Sequence, residues 1–185
     1  EMKALVWEGD DLGAKYDEYC ADITRTFPVN GKFSAAQQAA YELVLAAQAA
    51  AIEQVRPGSH WNAPHDAAVK VLAQGFIDLG LCQGTLAEVL EQESYKRFYM
   101  HRTGHWLGMD VHDVGDYKRG GEWRTLQPGM VLTVEPGCYI RPAEDVPERF
   151  WNIGIRIEDD VVVTDGGCEV LTHDAPKTIE EIEEL

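Results

Sequence analysis

Five side chains in this sequence could work together as cation ligands: the carboxylates of Asp11, Asp22, Glu135 and Glu158 and the imidazole of His105. Asp11 and Asp22 are symmetric about Tyr16 and Asp17, so a tight turn there would set them opposite each other across an antiparallel hairpin. Like charges so placed, with Cβ atoms about 5 Å apart, destabilise a sheet unless something positive lies between them. Nearer the C-terminus Ile153, Ile155 and Ile157 alternate with Gly154, Arg156 and Glu158, which turns Arg156 and Glu158 away from the isoleucines. Val131, Thr133 and Glu135 share a face by the same parity, and Glu135 stands immediately before a break at Pro136 and Gly137. His105 lies between glycines in Gly104-His105-Trp106-Leu107-Gly108.

Taken singly these residues are ordinary, since a strand Asp or Glu usually faces water and such a His usually makes a structural hydrogen bond. Taken together they form an oxygen-rich set with one imidazole. That set suits hard or borderline divalent ions, Mn²⁺ first and Co²⁺ or Zn²⁺ as alternatives, better than a thiolate-bound structural zinc. Four carboxylates would balance two such ions. A pair of divalent ions about 3.5–4 Å apart can activate water and polarise a carbonyl at neutral pH, which is the chemistry of hydrolysis.

The elements that must position these groups can also be read. Residues 5–28 form an expected hairpin whose outgoing strand ends near Pro28. Ser34 and Gln37 make a capping box for a long Ala-rich helix over 35–55, stopped by Arg56, Pro57 and Gly58. Asn62 is the expected cap of a second helix with Pro64 in its first turn, burying Val69, Leu72 and Phe76 and ending near Gly80. Thr85 and Glu88 cap a shorter third helix. Val- and Ile-rich alternation predicts strands over 130–140 and 151–163, followed by a turn at Asp165, Gly166 and Gly167. The acidic tail over 177–185 is expected to make a last helical turn or fray.

At 185 residues, with 45% hydrophobic and 26% charged residues, the chain is expected to fold as a single catalytic domain spanning 1–185. Acidic residues outnumber basic ones 32 to 16, and the net charge of −16 would repel a phosphate backbone, so nucleic acid is not an expected partner. No apolar run approaches the roughly 20 residues needed to span a bilayer. Cys20, Cys82, Cys138 and Cys168 have no CxxC spacing and suit reduced thiols in a cytoplasmic protein.

Four stretches then carry a resemblance. They are Asp22-Ile23-Thr24-Arg25-Thr26-Phe27; His101-Arg102-Thr103-Gly104-His105-Trp106-Leu107-Gly108 with Asp110-Val111-His112-Asp113-Val114-Gly115; Pro128-Gly129-Met130 through Thr133-Val134-Glu135-Pro136-Gly137; and Gly154-Ile155-Arg156-Ile157-Glu158-Asp159. In these, and in the closing Pro176-Lys177-Thr178, the sequence resembles the Xaa-Pro aminopeptidase and prolidase family of metallopeptidases. The resemblance implies an α+β pita-bread fold, a curved antiparallel sheet covered by helices, and two divalent metal ions. By it Asp11 would chelate one metal, Asp22 and Glu158 would bridge both, and His105 and Glu135 would complete the other. Glu135 would also shuttle a proton to the leaving proline nitrogen, His101 and His112 would contact the substrate, Arg156 and Thr24 would orient the carboxylates, and Tyr139 would line the pocket.

The implied substrate is a peptide with proline in second position, with the aminopeptidase branch favoured by Gly104-His105-Trp106-Leu107-Gly108 over a dipeptidase. Family members carry a separate N-terminal domain before this hairpin, so the chain is expected to be a C-terminal catalytic portion. An inactive pita-bread remnant acting as a binding module is the alternative from another class. A homo-oligomer is left open.

Overall fold

The computed structural model describes residues 14–185. A short hairpin comes first: β1 (Lys15–Tyr16) and β2 (Tyr19–Cys20) pair with Lys15 against Cys20 and Tyr16 against Tyr19. The turn is therefore Asp17–Glu18, both at positive φ (48° and 68°), as a two-residue turn that follows the strand twist demands. That register is not the one expected from the symmetry of Asp11 and Asp22, in which the turn falls on Tyr16 and Asp17. Asp11 itself lies outside the described residues.

The outgoing strand also ends early. Past Cys20 the chain has no ladder of its own and is held to residues 156–160 partly through side chains. Thr26 Oγ1 donates to the Arg156 carbonyl (2.9 Å) and accepts from the Arg156 N–H (3.1 Å). The Glu158 N–H donates to the Thr24 carbonyl (3.1 Å), and the Asp22 N–H to Asp160 Oδ2 (3.0 Å).

Helix α1 (Ala35–Ile52) starts at the expected Ser34–Gln37 capping box. It stops short of Val55 because Gln54 and Val55 donate to carbonyls only three residues back, a tightened final turn ahead of Pro57. Helix α2 (Ala63–Asp78) buries Val69, Leu72 and Phe76 as expected. Asn62 occupies its N-cap position as expected, with Pro64 in the first turn, but its side chain makes no cap bond. It already has helical angles, its amide donates to Asp66 Oδ1 (2.6 Å), and its oxygen accepts from Arg102. Helix α3 (Leu86–Glu91) has its Thr85–Glu88 box, and α4 (Ile179–Glu183) is capped by Thr178 with Glu181. Ala40, Ala47 and Ala51 are fully buried on α1, a small-residue face suited to the close packing of α1 on α2.

A small hairpin, β3 (Lys118–Arg119) with β4 (Glu122–Trp123), precedes the main strands. These are β5 (Val131–Val134), β6 (Gly137–Ile140), β7 (Ile153–Arg156), β8 (Asp159–Thr164) and β9 (Gly167–Val170). β5 pairs with β8, β8 with β9, and β6 with β7, all antiparallel. The β5–β8 and β6–β7 ladders keep one register. Val134 faces Asp159 and Gly137 faces Arg156, so counting inward from either side sets Glu135 against Glu158 and Pro136 against Ile157. Pro136 has no N–H to give, and the ladder is interrupted there. Ile153, Ile155, Ile157, Val161 and Leu132 are buried with the apolar faces of the helices, which leaves the opposite face of the sheet for polar groups.

Candidate metal centre

The loop after Arg102 runs antiparallel along β5 as an irregular extra strand. Glu135 N–H donates to the Thr103 carbonyl (2.8 Å), Thr133 N–H to the His105 carbonyl (3.0 Å) and Leu107 N–H to the Val131 carbonyl (3.2 Å). This sets His105 beside Thr133, and Thr133 in turn opposes Asp160 on β8. One row of the sheet is thus His105, Thr133 and Asp160, and the next is Thr103, Glu135 and Glu158. Cross-strand partners share a face, so chain order alone gathers four of the polar groups. Gly104 makes the close approach possible, because a Cβ there would lie 2.0 Å from the Thr133 carbonyl oxygen.

Asp22 enters from the crossing segment. Its Oδ2 lies 3.3 Å from His105 Nε2, and Glu135 Oε1 lies 3.7 Å from the same nitrogen. Donor atoms of Asp22, His105 and Glu158 all fall within 4.8 Å of one another. His105 Nδ1 sits 3.0 Å from the Trp106 carbonyl, which can only accept, so Nδ1 carries the proton. Nε2 of the neutral ring therefore points a lone pair at two carboxylates. Asp22 Oδ1 is buried with no hydrogen-bond partner among the described residues. Lone pair, carboxylates and partnerless oxygen fit a cation and little else.

The electrostatics agree. Glu158 is 1% exposed, and burial first, then the charge of Glu135, pushes its carboxyl up to about 8 even though Thr24 Oγ1 donates to Oε2 at 2.5 Å. Burial likewise raises Glu135, against the opposing pull of His105 and Arg156. Asp160 is pushed to about 6, by burial first. Burial lowers His105, but the Asp22 carboxylate, the Trp106 carbonyl and Glu135 outweigh it and leave the imidazole above its usual value. A cluster this acidic and this dry needs positive charge.

Around it lies an open cleft of about 520 Å³ bordered by His101, His105, His112, Glu135 and Arg156, with Trp61, Tyr117 and Trp123 as aromatic lining. His101 Nδ1 faces the Arg102 carbonyl (2.7 Å), so its Nε2 accepts from the Tyr139 hydroxyl (2.8 Å), and burial lowers the ring's affinity for a second proton. His112 is exposed and sets its ring edge-on to His105, centroids 4.3 Å apart. Arg156 Nε donates to Thr24 Oγ1 (3.2 Å) and lies 3.9 Å from Glu158 Oε2, with Nη1 4.0 Å from Glu135 Oε2. Every expected site residue except Asp11 is therefore found on or beside one polar face.

Two groups near the site escape the sequence reading. Asp160 looks like one more acidic residue until the β5–β8 register sets it opposite Thr133. His65, which lies in none of the motif stretches, has its Nδ1 2.8 Å from Thr103 Oγ1, which also meets the Tyr99 hydroxyl at 2.6 Å. These contacts brace the loop that carries His101 and His105, and only the tertiary structure brings them together.

The model for metallopeptidase family M24 matches residues 10–165, and the chain belongs to that family. It is 50% identical over 175 residues to the Xaa-Pro aminopeptidase of Haemophilus influenzae, covering 95% of this chain and 40% of that protein. Its structure is similar to that of the aminopeptidase PepP of Pseudomonas aeruginosa, with a TM-score of 0.89 and 59% identity, over 91% of this chain and 38% of the other. A zinc-substituted aminopeptidase P of E. coli in complex with product gives 0.87 and 47%, over 92% and 38%. The fold is the α+β pita-bread fold, and the chain spans about 40% of the length of the curated relatives it matches.

Proposed function

We propose that the chain is the catalytic domain, over residues 1–185, of a metal-dependent exopeptidase that cleaves between an N-terminal residue and a following proline. The observation that carries this reading is the buried trio Asp22, His105 and Glu158, donor atoms within 4.8 Å, joined by Glu135 on the floor of an open cleft. Divalent cations held by Asp22, His105, Glu135 and Glu158, with Asp11 as a fifth ligand, would supply Lewis acidity toward the scissile carbonyl and an activated water. Manganese is the ion we favour for this oxygen-rich set, with cobalt or zinc as substitutes.

The protein's own groups do the rest. Glu135 Oε2, the oxygen nearer Arg156, takes the proton of the attacking water and delivers it to the proline nitrogen as the bond breaks. His101, held by Tyr139, and His112, propped on His105, contact the substrate and steady charge on the tetrahedral intermediate. Thr24 and Arg156 keep Glu158 and Glu135 in place. Among the described residues no helix is long and apolar enough to cross a membrane, and the four cysteines are free; we place the protein in the cytoplasm.

Incubation of the chain with Mn²⁺ and Xaa-Pro-Yaa tripeptides, Xaa-Pro dipeptides and Xaa-Ala controls tests the proposal. Release of the N-terminal residue from the proline tripeptides is expected. Cleavage of dipeptides alone favours dipeptidase specificity, and a metal-loaded chain that cleaves nothing favours a binding module.

A further inference from the structure

Behind the ligand-bearing segments three charged side chains meet. Arg25 is 7% exposed and Asp159 0%. Arg25 Nη2 lies 2.8 Å from Asp159 Oδ1 and Lys177 Nζ lies 2.7 Å from Asp159 Oδ2, while Thr172 Oγ1 donates to Oδ1 at 2.7 Å. A buried ionic group is costly to desolvate and is often no more stabilising than apolar packing of the same size. Here its other bonds indicate a use. Arg25 Nη1 donates to the Thr24 carbonyl (3.0 Å) and to the Glu158 carbonyl (2.6 Å), Nε to the Pro176 carbonyl (2.8 Å), and Nη2 to the Ala175 carbonyl (3.2 Å). One guanidinium therefore joins the segment of Asp22 and Thr24, the residue Glu158 and the C-terminal segment.

Lys177 secures the far side. Its ammonium also donates to Gln48 Oε1 on α1 (3.3 Å), and its carbonyl accepts from the Tyr41 hydroxyl (2.9 Å). Neither Arg25 nor Lys177 is among the candidate ligands, and neither lines the cleft. Thr24 and Glu158, whose carbonyls Arg25 fixes, are already bonded through Thr24 Oγ1 and the Glu158 N–H.

We infer that Arg25, Asp159 and Lys177 are positioning residues for the metal centre: they set the separation of Asp22 from Glu158 and tie it to the docking of residues 172–177. The inference rests on the proposed metal-centre reading. Arg25 requires a planar fork of donors, since a lysine ammonium cannot reach carbonyls on both sides while holding Asp159. Lys177 acts as a point charge that arginine can replace. Loss of such outer partners weakens metal binding by roughly 10–100-fold.

Calorimetric titration of Mn²⁺ into the 185-residue chain tests this, using wild type, Arg25→Lys, Lys177→Met and Lys177→Arg, each also unfolded with urea in the presence of chelator. Arg25→Lys and Lys177→Met are expected to bind Mn²⁺ about 10-fold or more weakly while still unfolding cooperatively without metal. Lys177→Arg is expected to restore near wild-type affinity. Variants that lose metal-free stability but keep wild-type affinity would overturn the positioning role. If Arg25→Lys does not fold, the two Lys177 variants decide the question. A wild-type chain that binds no divalent ion would instead overturn the metal-centre reading, and this inference with it.

Discussion

Asp22 and Glu158 are 3% and 1% exposed and face an imidazole whose free nitrogen carries a lone pair, so the site is unfavourable without added positive charge. Thr24 relieves part of that by donating to Glu158 Oε2. Thr24→Val, nearly isosteric, should weaken Mn²⁺ binding roughly 10-fold in a calorimetric titration, with little change in the apolar core. A second prediction concerns His65. Burial first, then the charge of Arg102, holds its imidazole down at about 4, against an ordinary value of 6.5. As pH falls from 6.5 to 4 the unfolded chain gains a proton there that the folded chain refuses, so stability is lost across that window. Because the raised carboxyls of Glu158 and Asp160 titrate with the opposite sign over the same range, the His65 contribution, about 1–3 kcal/mol after discounting for partial exposure, is read in urea unfolding as the difference between wild type and His65→Gln. The parity of Glu135, Arg156 and Glu158 was readable because strand alternation is a strictly local signal. Asp160 and His65 were not, because their partners are the Asp22 N–H and Thr103 Oγ1, reached only through the tertiary fold.

Among the elements, the irregular strand carrying His105 depends on Gly104. Gly104→Ala would drive a Cβ into the Thr133 carbonyl and should cost about 1–3 kcal/mol in denaturant unfolding while weakening metal binding by moving His105. Ser34→Ala is the contrasting case. It removes the α1 cap, should cost about 1 kcal/mol, and should leave metal affinity unchanged. Helices with capping boxes were legible from sequence because the cap residues and the apolar period coincide at Ser34 and Thr85. Asn62 and Pro64 marked the start of α2 correctly, but the cap bond itself does not form, because the Asn62 side chain is engaged by Asp66 and Arg102. The first hairpin misled, since the symmetry of two aspartates says nothing of the turn, and Asp17 and Glu18 form it at positive φ.

For the molecule as a whole, the net charge of −16 and the buried carboxylates together imply that a divalent ion should stabilise the fold. At about 100 times its dissociation constant, an ion bound only by the folded chain adds roughly 2.7 kcal/mol per site, so Mn²⁺ should raise the unfolding midpoint and chelator should reverse the effect. Asp22→Asn should reduce that response. The most direct measurement is anomalous X-ray diffraction from crystals of the chain soaked in Mn²⁺. The expected result is density within coordinating distance of Asp22, His105, Glu135 and Glu158; a saturating soak that leaves no anomalous peak there, or that places manganese elsewhere, would contradict a metal centre on this face of the sheet.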